Sequence, residues 1–161
     1  MPIAIIKQGK TFTSFEFYNV FLKEIALFCK DKLKENISFS LINTIENDVA
    51  YNKYRIDGNT LPLLLNIFEQ LSSYQKMGIK LDLQNVYGHN QSLGTYELIS
   101  FLNNSNFFNI AQRNSQNYSK LEPSYPIVDI GTNILPSKNS NSTFEIDCFS
   151  LSQDDNFRLE L

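Results

Sequence analysis

The residues between positions 61 and 108 constrain the fold of this chain more than any other part of the sequence. An apolar segment predicts a helix over 61–77, ended near Gly78. The next residues, 79–86, alternate between apolar and polar side chains, a period of two that predicts a β-strand. A polar turn at 87–92 then leads into a second predicted helix over 93–102. This succession of helix, strand, turn and helix can hold a functional loop on a rigid base.

The rest of the chain adds one long helix, one short helix and further strands. Thr13 and Glu16 have the spacing of a capping box and predict a helix over 13–35. Asn59 or Thr60 is expected to cap the helix at 61–77. Short apolar or alternating segments predict the other elements, which are strands at 3–6, 37–41, 49–56, 127–130, 144–149 and 157–161, and a short helix at 107–111.

Polar residues at every second position of the predicted strands indicate how the sheet is covered. Lys80 and Asp82 alternate with apolar residues, as do Arg158 and Glu160, whereas a parallel sheet covered on both faces shows continuous apolar runs. We therefore predict an α+β, α/β-like protein with a single mixed β-sheet and helices packed mainly on one face. The strands at 37–41 and 49–56 are expected to form a hairpin, with a bulge at Ile42.

Size, charge and cysteine content narrow the class of protein. A chain of 161 residues is expected to form a single domain, 1–161, with its own core. The net charge of -3 and the absence of a Lys/Arg cluster argue against nucleic acid or an anionic membrane as a partner. The N-terminus resembles no signal peptide, so we expect a cytoplasmic protein in which Cys29 and Cys148 are reduced, buried thiols.

The residues that carry most enzymatic chemistries are sparse in this sequence. His89 is the only histidine, and no Gly-x-Ser-x-Gly elbow accompanies it. One histidine and two distant cysteines do not form a zinc or iron site, and the six glycines form no phosphate-binding loop. We therefore expect no cofactor, no metal and no catalytic residues, and we favour a non-enzymatic role.

The polar turn and the elements on either side of it resemble part of a known protein family. The strand at 81–86 is followed by Gln91-Ser92-Leu93-Gly94 and then by a helix, and this order is similar to the STAS domain of anti-sigma factor antagonists. The similarity covers about residues 61–108, with Asn90 or Gln91 in the place of the family's acidic residue. The resemblance implies a sheet with helices on one side, a protein partner, and Ser92 as the phosphoacceptor.

The physical chemistry of Ser92 fits two roles. In the first role, the Ser92 hydroxyl caps free backbone amides at the N-terminus of the helix, and the residue has no further function. A phosphate on the same hydroxyl would meet the favourable end of the helix dipole. In both roles Ser92 lies at the end of the polar turn, where we expect side chains to be free to contact a partner. The predicted binding residues are Tyr87, His89, Asn90, Gln91, Ser92 and Gly94.

These observations lead to one preferred function and two alternatives. The preferred function is a cytoplasmic, non-enzymatic interaction or regulatory module that binds another protein through the turn at 87–95. The first alternative is an immunity or antitoxin-like protein that neutralises a toxin with an acidic, aromatic-rich face. The second is a small enzyme whose catalytic residues form no recognised motif.

Overall fold

A computed structural model describes residues 2–7, 10–31, 35–43, 54–83, 93–116, 121 and 123–131. Within these ranges six strands occur in chain order, which are β1 (Ile3–Ile6), β2 (Thr11–Phe12), β3 (Ser38–Ile42), β4 (Arg55–Ile56), β5 (Ile79–Asp82) and β6 (Val128–Asp129). The main sheet has the order β1-β3-β5-β6, and each pair of neighbours is parallel. Strands β2 and β4 form a separate, two-stranded parallel sheet.

Helices separate the strands of the main sheet. The first helical stretch has three consecutive parts, α1 (Ser14–Glu16), a π-helical segment (Phe17–Phe21) and α2 (Leu22–Asp31). A 3₁₀ turn (Gly58–Thr60) leads into α3 (Leu61–Gln75). Two more helices, α4 (Leu93–Asn104) and α5 (Phe107–Ala111), lie between β5 and β6. The three predicted long helices and the short one are therefore confirmed, with shifts at their ends.

The alternation of helices and parallel strands confirms the α/β class. The pairing within that class differs from the prediction, because the described ladders are parallel and belong to two sheets rather than to one mixed sheet. The alternation of polar residues argued against a sheet covered on both faces, and Lys80 and Asp129 are indeed exposed on one face. Alternation does not determine whether neighbouring strands are parallel or antiparallel, and so the pairing was not predicted.

The predicted hairpin between 37–41 and 49–56 is also wrong. Strand β4 pairs with β2, through Thr11 beside Arg55 and Phe12 beside Ile56, and not with β3. Ile42 makes no bulge, since it continues β3 and lies beside Ile6 of β1. The predicted strands at 144–149 and 157–161 lie outside the described residues.

Phe39 of β3 identifies the face of the sheet that the helices cover. Its side chain is fully buried between Phe21 and Phe68, with ring centroids 5.5 and 5.2 Å away. Phe21 belongs to the first helical stretch and Phe68 to α3, so both helices pack on the same face. Ile3 and Leu81 lie beside Phe39 in the neighbouring strands and continue this apolar row.

The opposite face of the sheet is polar at its amino end and apolar at its carboxyl end. Ser38, Lys80 and Asp129 lie side by side across β3, β5 and β6, and the last two are exposed. Ile6 and Ile42, further along the same face, are buried. The chain therefore covers one end of this face and leaves the other end to solvent.

Side-chain caps begin two of the helical stretches. The Thr13 hydroxyl accepts a hydrogen bond of 3.4 Å from the Glu16 amide, as the capping box predicted. Thr60 and Asn59 do not cap α3 through their side chains, contrary to the prediction. Asp57 instead accepts from the Asn59 amide at 3.2 Å and so caps the preceding 3₁₀ turn.

Helix α3 ends without using Gly78 as its stop. Lys76 adopts the left-handed conformation there, with φ 55°, and the predicted glycine stop is therefore wrong. Gly78 meets a different requirement, since a Cβ atom on it would lie 2.5 Å from the Pro126 carbonyl oxygen. The glycine allows the chain before β5 to approach the chain before β6, where the Ile79 amide donates to the Ile127 oxygen at 2.8 Å.

Candidate functional site

The carboxyl edge of the main sheet is where the predicted binding turn begins. Because the four strands are parallel, β1, β3 and β5 all end at this edge. They are followed by Lys7, Asn43 and Leu83, respectively. The chain therefore enters the predicted turn from this edge, between the neighbouring strands β3 and β6.

Polar groups of the first two strands lie at this edge. The Asn43 amide donates to the Ile6 oxygen at 3.2 Å, which holds the ends of β1 and β3 together. The Asn43 side-chain oxygen is buried and accepts no hydrogen bond from the described residues. Lys7 bonds to both oxygens of the Glu24 carboxylate, at 2.9 and 3.3 Å. The edge thus combines an ion pair with an acceptor that the described residues leave unused.

Asp82 brings a carboxylate to the position just before the turn. It is half-buried at the end of β5 and lies beside Ser40 of β3, which is buried. Together with Ala4 of β1, these residues form a second row across the polar face of the sheet. The alternation of β5 predicted Asp82 on the polar side of a strand, and Asp82 was not among the predicted binding residues.

The row of polar and charged residues at the amino end of the polar face was not predicted from the sequence. Ser38, Lys80 and Asp129 occupy one row on three adjacent strands, so neighbouring members are separated by about 5 Å, the spacing of strands in a sheet. The alternation of each strand was visible in the sequence. The order of the strands was not, and only that order brings a lysine and an aspartate together.

Five of the six predicted binding residues, Tyr87, His89, Asn90, Gln91 and Ser92, lie outside the described residues. Gly94 is described through its backbone and lies in the first turn of α4. The helix begins at Leu93, immediately after Ser92 in the sequence, as predicted. The structure therefore contains the strand before the turn and the helix after it.

The described residues show neither a metal-binding cluster nor a membrane-spanning helix. Within these residues no group of three or more His, Cys, Asp or Glu side chains is arranged to hold a metal ion. No helix in the described part of the chain has both the length and the apolar character needed to cross a bilayer. Cys29 carries a free thiol and is half-buried in α2, less buried than predicted, while Cys148 lies outside the described residues.

Comparison with known proteins gives no matching family model, no matching curated protein and no matching solved structure. The fold and the arrangement of residues at the carboxyl edge are thus the basis for assigning a function. The resemblance of the turn at 87–95 to STAS domains stays a prediction from the sequence.

Proposed function

We propose that this chain is a non-enzymatic, STAS-like regulatory module that binds another protein through the turn at 87–95. The observation that supports this most strongly is the position of β5 in the interior of a parallel sheet, with the 12-residue helix α4 as the next described element. Ligands of open parallel sheets bind beyond the carboxyl ends of the strands. The turn begins at that edge and is flanked there by the ends of neighbouring strands.

The two elements that flank the turn, β5 and α4, are anchored in the core, and this supports a recognition role for the turn. Strand β5 pairs with a strand on each side, and Leu83 at its end is fully buried. On the far side of the turn, Leu98 and Leu102 anchor α4 in the core. A loop held at both ends keeps its backbone in place while its side chains contact a partner.

The amino end of the polar face is a second charged surface, separate from the turn at the carboxyl edge. Lys80 and Asp129 are exposed there, whereas both faces of an ordinary parallel sheet are covered by helices. Charged side chains at such a surface contribute to the choice of partner and to the rate of association. We propose a protein as the partner rather than nucleic acid or a membrane, and we place this interaction in the cytoplasm.

Ser92 is the residue through which this interaction is proposed to be regulated. It precedes α4 directly, and the N-terminus of a helix attracts a negative charge. Phosphorylation would add a charge of about -2 at the centre of the proposed contact surface. The same serine serves as a simple cap when it is not modified.

A photocrosslinking experiment tests the proposed contact surface. Benzoylphenylalanine replaces Tyr87 in one variant and Tyr74 in a control variant, because Tyr74 is 72% exposed on α3, away from the turn. We expect one specific crosslinked protein from cells of the native host with the probe at 87 and none at 74. The same products from both positions, or none from position 87, would contradict the proposal.

A further inference from the structure

A polar cavity of about 180 Å³ lies at the amino edge of the sheet, opposite the edge that carries the turn. It is bounded by the last two turns of α3 and by the segments on either side of residues 117–120. Nearly all of its lining side chains carry oxygen, and these are Glu69, Ser72, Ser73, Ser115, Gln116 and Tyr125. A cavity of this size and polarity has room for a small hydrogen-bonding molecule.

Hydrogen bonds hold the walls of the cavity in place. The Tyr125 hydroxyl donates to the Ser72 carbonyl oxygen of α3 at 3.2 Å. The Ser115 amide donates to the Tyr125 carbonyl oxygen at 2.7 Å, and the Tyr125 amide donates back to the Ser115 hydroxyl at 3.3 Å. Tyr125 thus connects the segment before β6 both to α3 and to the segment after α5.

The acceptor groups of the described lining favour a ligand that donates hydrogen bonds. The carboxyl end of the 15-residue helix α3 carries a partial negative charge, and the Glu69 side chain is 55% exposed beside it. The Ser73 side chain, on the next residue of the same helix, is exposed. Carbonyl and carboxylate oxygens only accept hydrogen bonds, so the matching ligand group is a donor.

Arg113 shows that this rim accepts a cation. Its guanidinium donates to Glu69 Oε2 at 2.9 Å and to the Ile110 carbonyl oxygen at 3.0 Å. Within the described residues this is the only hydrogen bond to the Glu69 carboxylate, and Oε1 accepts none. A second cationic donor can therefore bind Glu69 without displacing Arg113.

We infer that this cavity binds a small organic amine in its ammonium form. The ammonium group donates to Glu69 Oε1 and to the hydroxyl oxygens of Ser73 and Ser115, and the carbon chain lies against Tyr125. This site lies at the other edge of the sheet from the proposed protein contact. The two proposals are therefore tested by separate experiments.

Titration with 1,4-diaminobutane, followed by amide chemical shifts, tests this inference. The neutral control is 1,4-butanediol, which has the same chain length and hydrogen-bonding ends but no charge. We expect the diamine to shift the amide signals of Ser72, Ser115 and Tyr125 in a saturable manner. We expect no saturable shift with the diol. Equal binding of both compounds, or shifts located elsewhere, would overturn the inference.

Two matched variants locate the charge that binds the amine. Glu69→Gln removes the carboxylate at a position where the side chain is more than half exposed, and it should weaken diamine binding by about tenfold or more. Glu97→Gln makes the same change at an exposed position on α4 and should leave binding unaltered. Unchanged binding in Glu69→Gln, or an equal loss in both variants, would show that the cavity does not select the amine.

Discussion

At the scale of single residues, Gly78 has a role that differs from the helix stop predicted for it. The sequence placed a glycine just after α3, where a left-handed stop is common. Lys76 takes that conformation, and Gly78 is required by the approach of the Pro126 carbonyl oxygen. A contact between residues 48 positions apart leaves no sign in the local sequence.

Gly78→Ala should destabilise the protein because the new methyl group would overlap a backbone atom. We expect a decrease of about 1–3 kcal/mol in the free energy of unfolding, the usual result of overpacking. Urea denaturation measures it. Ser73→Ala, at an exposed position on α3, is the control and should change stability by less than about 0.5 kcal/mol. Equal stabilities of the two variants would contradict the close approach.

Phe39→Ala tests the buried aromatic contact between β3 and two helices. Truncation of a fully buried phenylalanine should lower the free energy of unfolding by about 3–5 kcal/mol. Phe15→Ala is the control, because Phe15 is 68% exposed on α1 and should contribute little. Thermal and urea denaturation of both variants provide the comparison. A small effect at Phe39 would mean that the two helices do not share this face of the sheet.

At the scale of elements, local sequence signals placed the helices well and the strand pairs poorly. The capping box at Thr13 and the break between α4 and α5 depend on residues close together in sequence. The π-helical segment from Phe17 to Phe21 was not expected. Phe17, Phe21 and Ile25 are buried along it at the spacing of four that an ordinary α-helix also shows, so the sequence contains no sign of the change in helix type.

Thr13→Ala removes the side-chain cap of the first helical stretch. We expect a loss of about 1 kcal/mol in the free energy of unfolding, because the Glu16 amide loses its acceptor. Thr11→Ala is the matched control, since Thr11 is exposed in the short strand β2 and caps no helix. Chemical denaturation distinguishes the two variants. A larger loss for Thr11→Ala than for Thr13→Ala would argue against the cap.

At the scale of the whole molecule, the class of fold was predictable and the arrangement of the strands was not. Alternating apolar residues in β5 predicted a strand with one buried face, and this is confirmed. Alternation does not identify a strand's neighbour, and so Arg55 and Ile56 were assigned to a hairpin instead of to a parallel pair with β2. The parallel order then determines which polar residues of the candidate site lie side by side.

The carboxyl edge of the sheet was predictable only in part, because local patterns identify elements but not the neighbours of a strand. A strand, a polar turn and a helix were recognised from residues 79–102, and the structure contains the strand β5 and the helix α4. The neighbours Lys7 and Asn43 come from strands far away in sequence. No local pattern links them to the turn, because their proximity arises only when the parallel sheet forms.

The affinity of the captured partner for Ser92 variants tests the proposed interaction most directly. Ser92→Ala should lower protein stability by about 1 kcal/mol as a lost cap and leave binding nearly unchanged. Ser92→Asp keeps an acceptor at the start of α4 but adds a negative charge, and we expect it to change the dissociation constant by about tenfold or more. Equal dissociation constants for wild type and both variants, measured by titration calorimetry, would show that the turn is scaffolding and contradict the proposal.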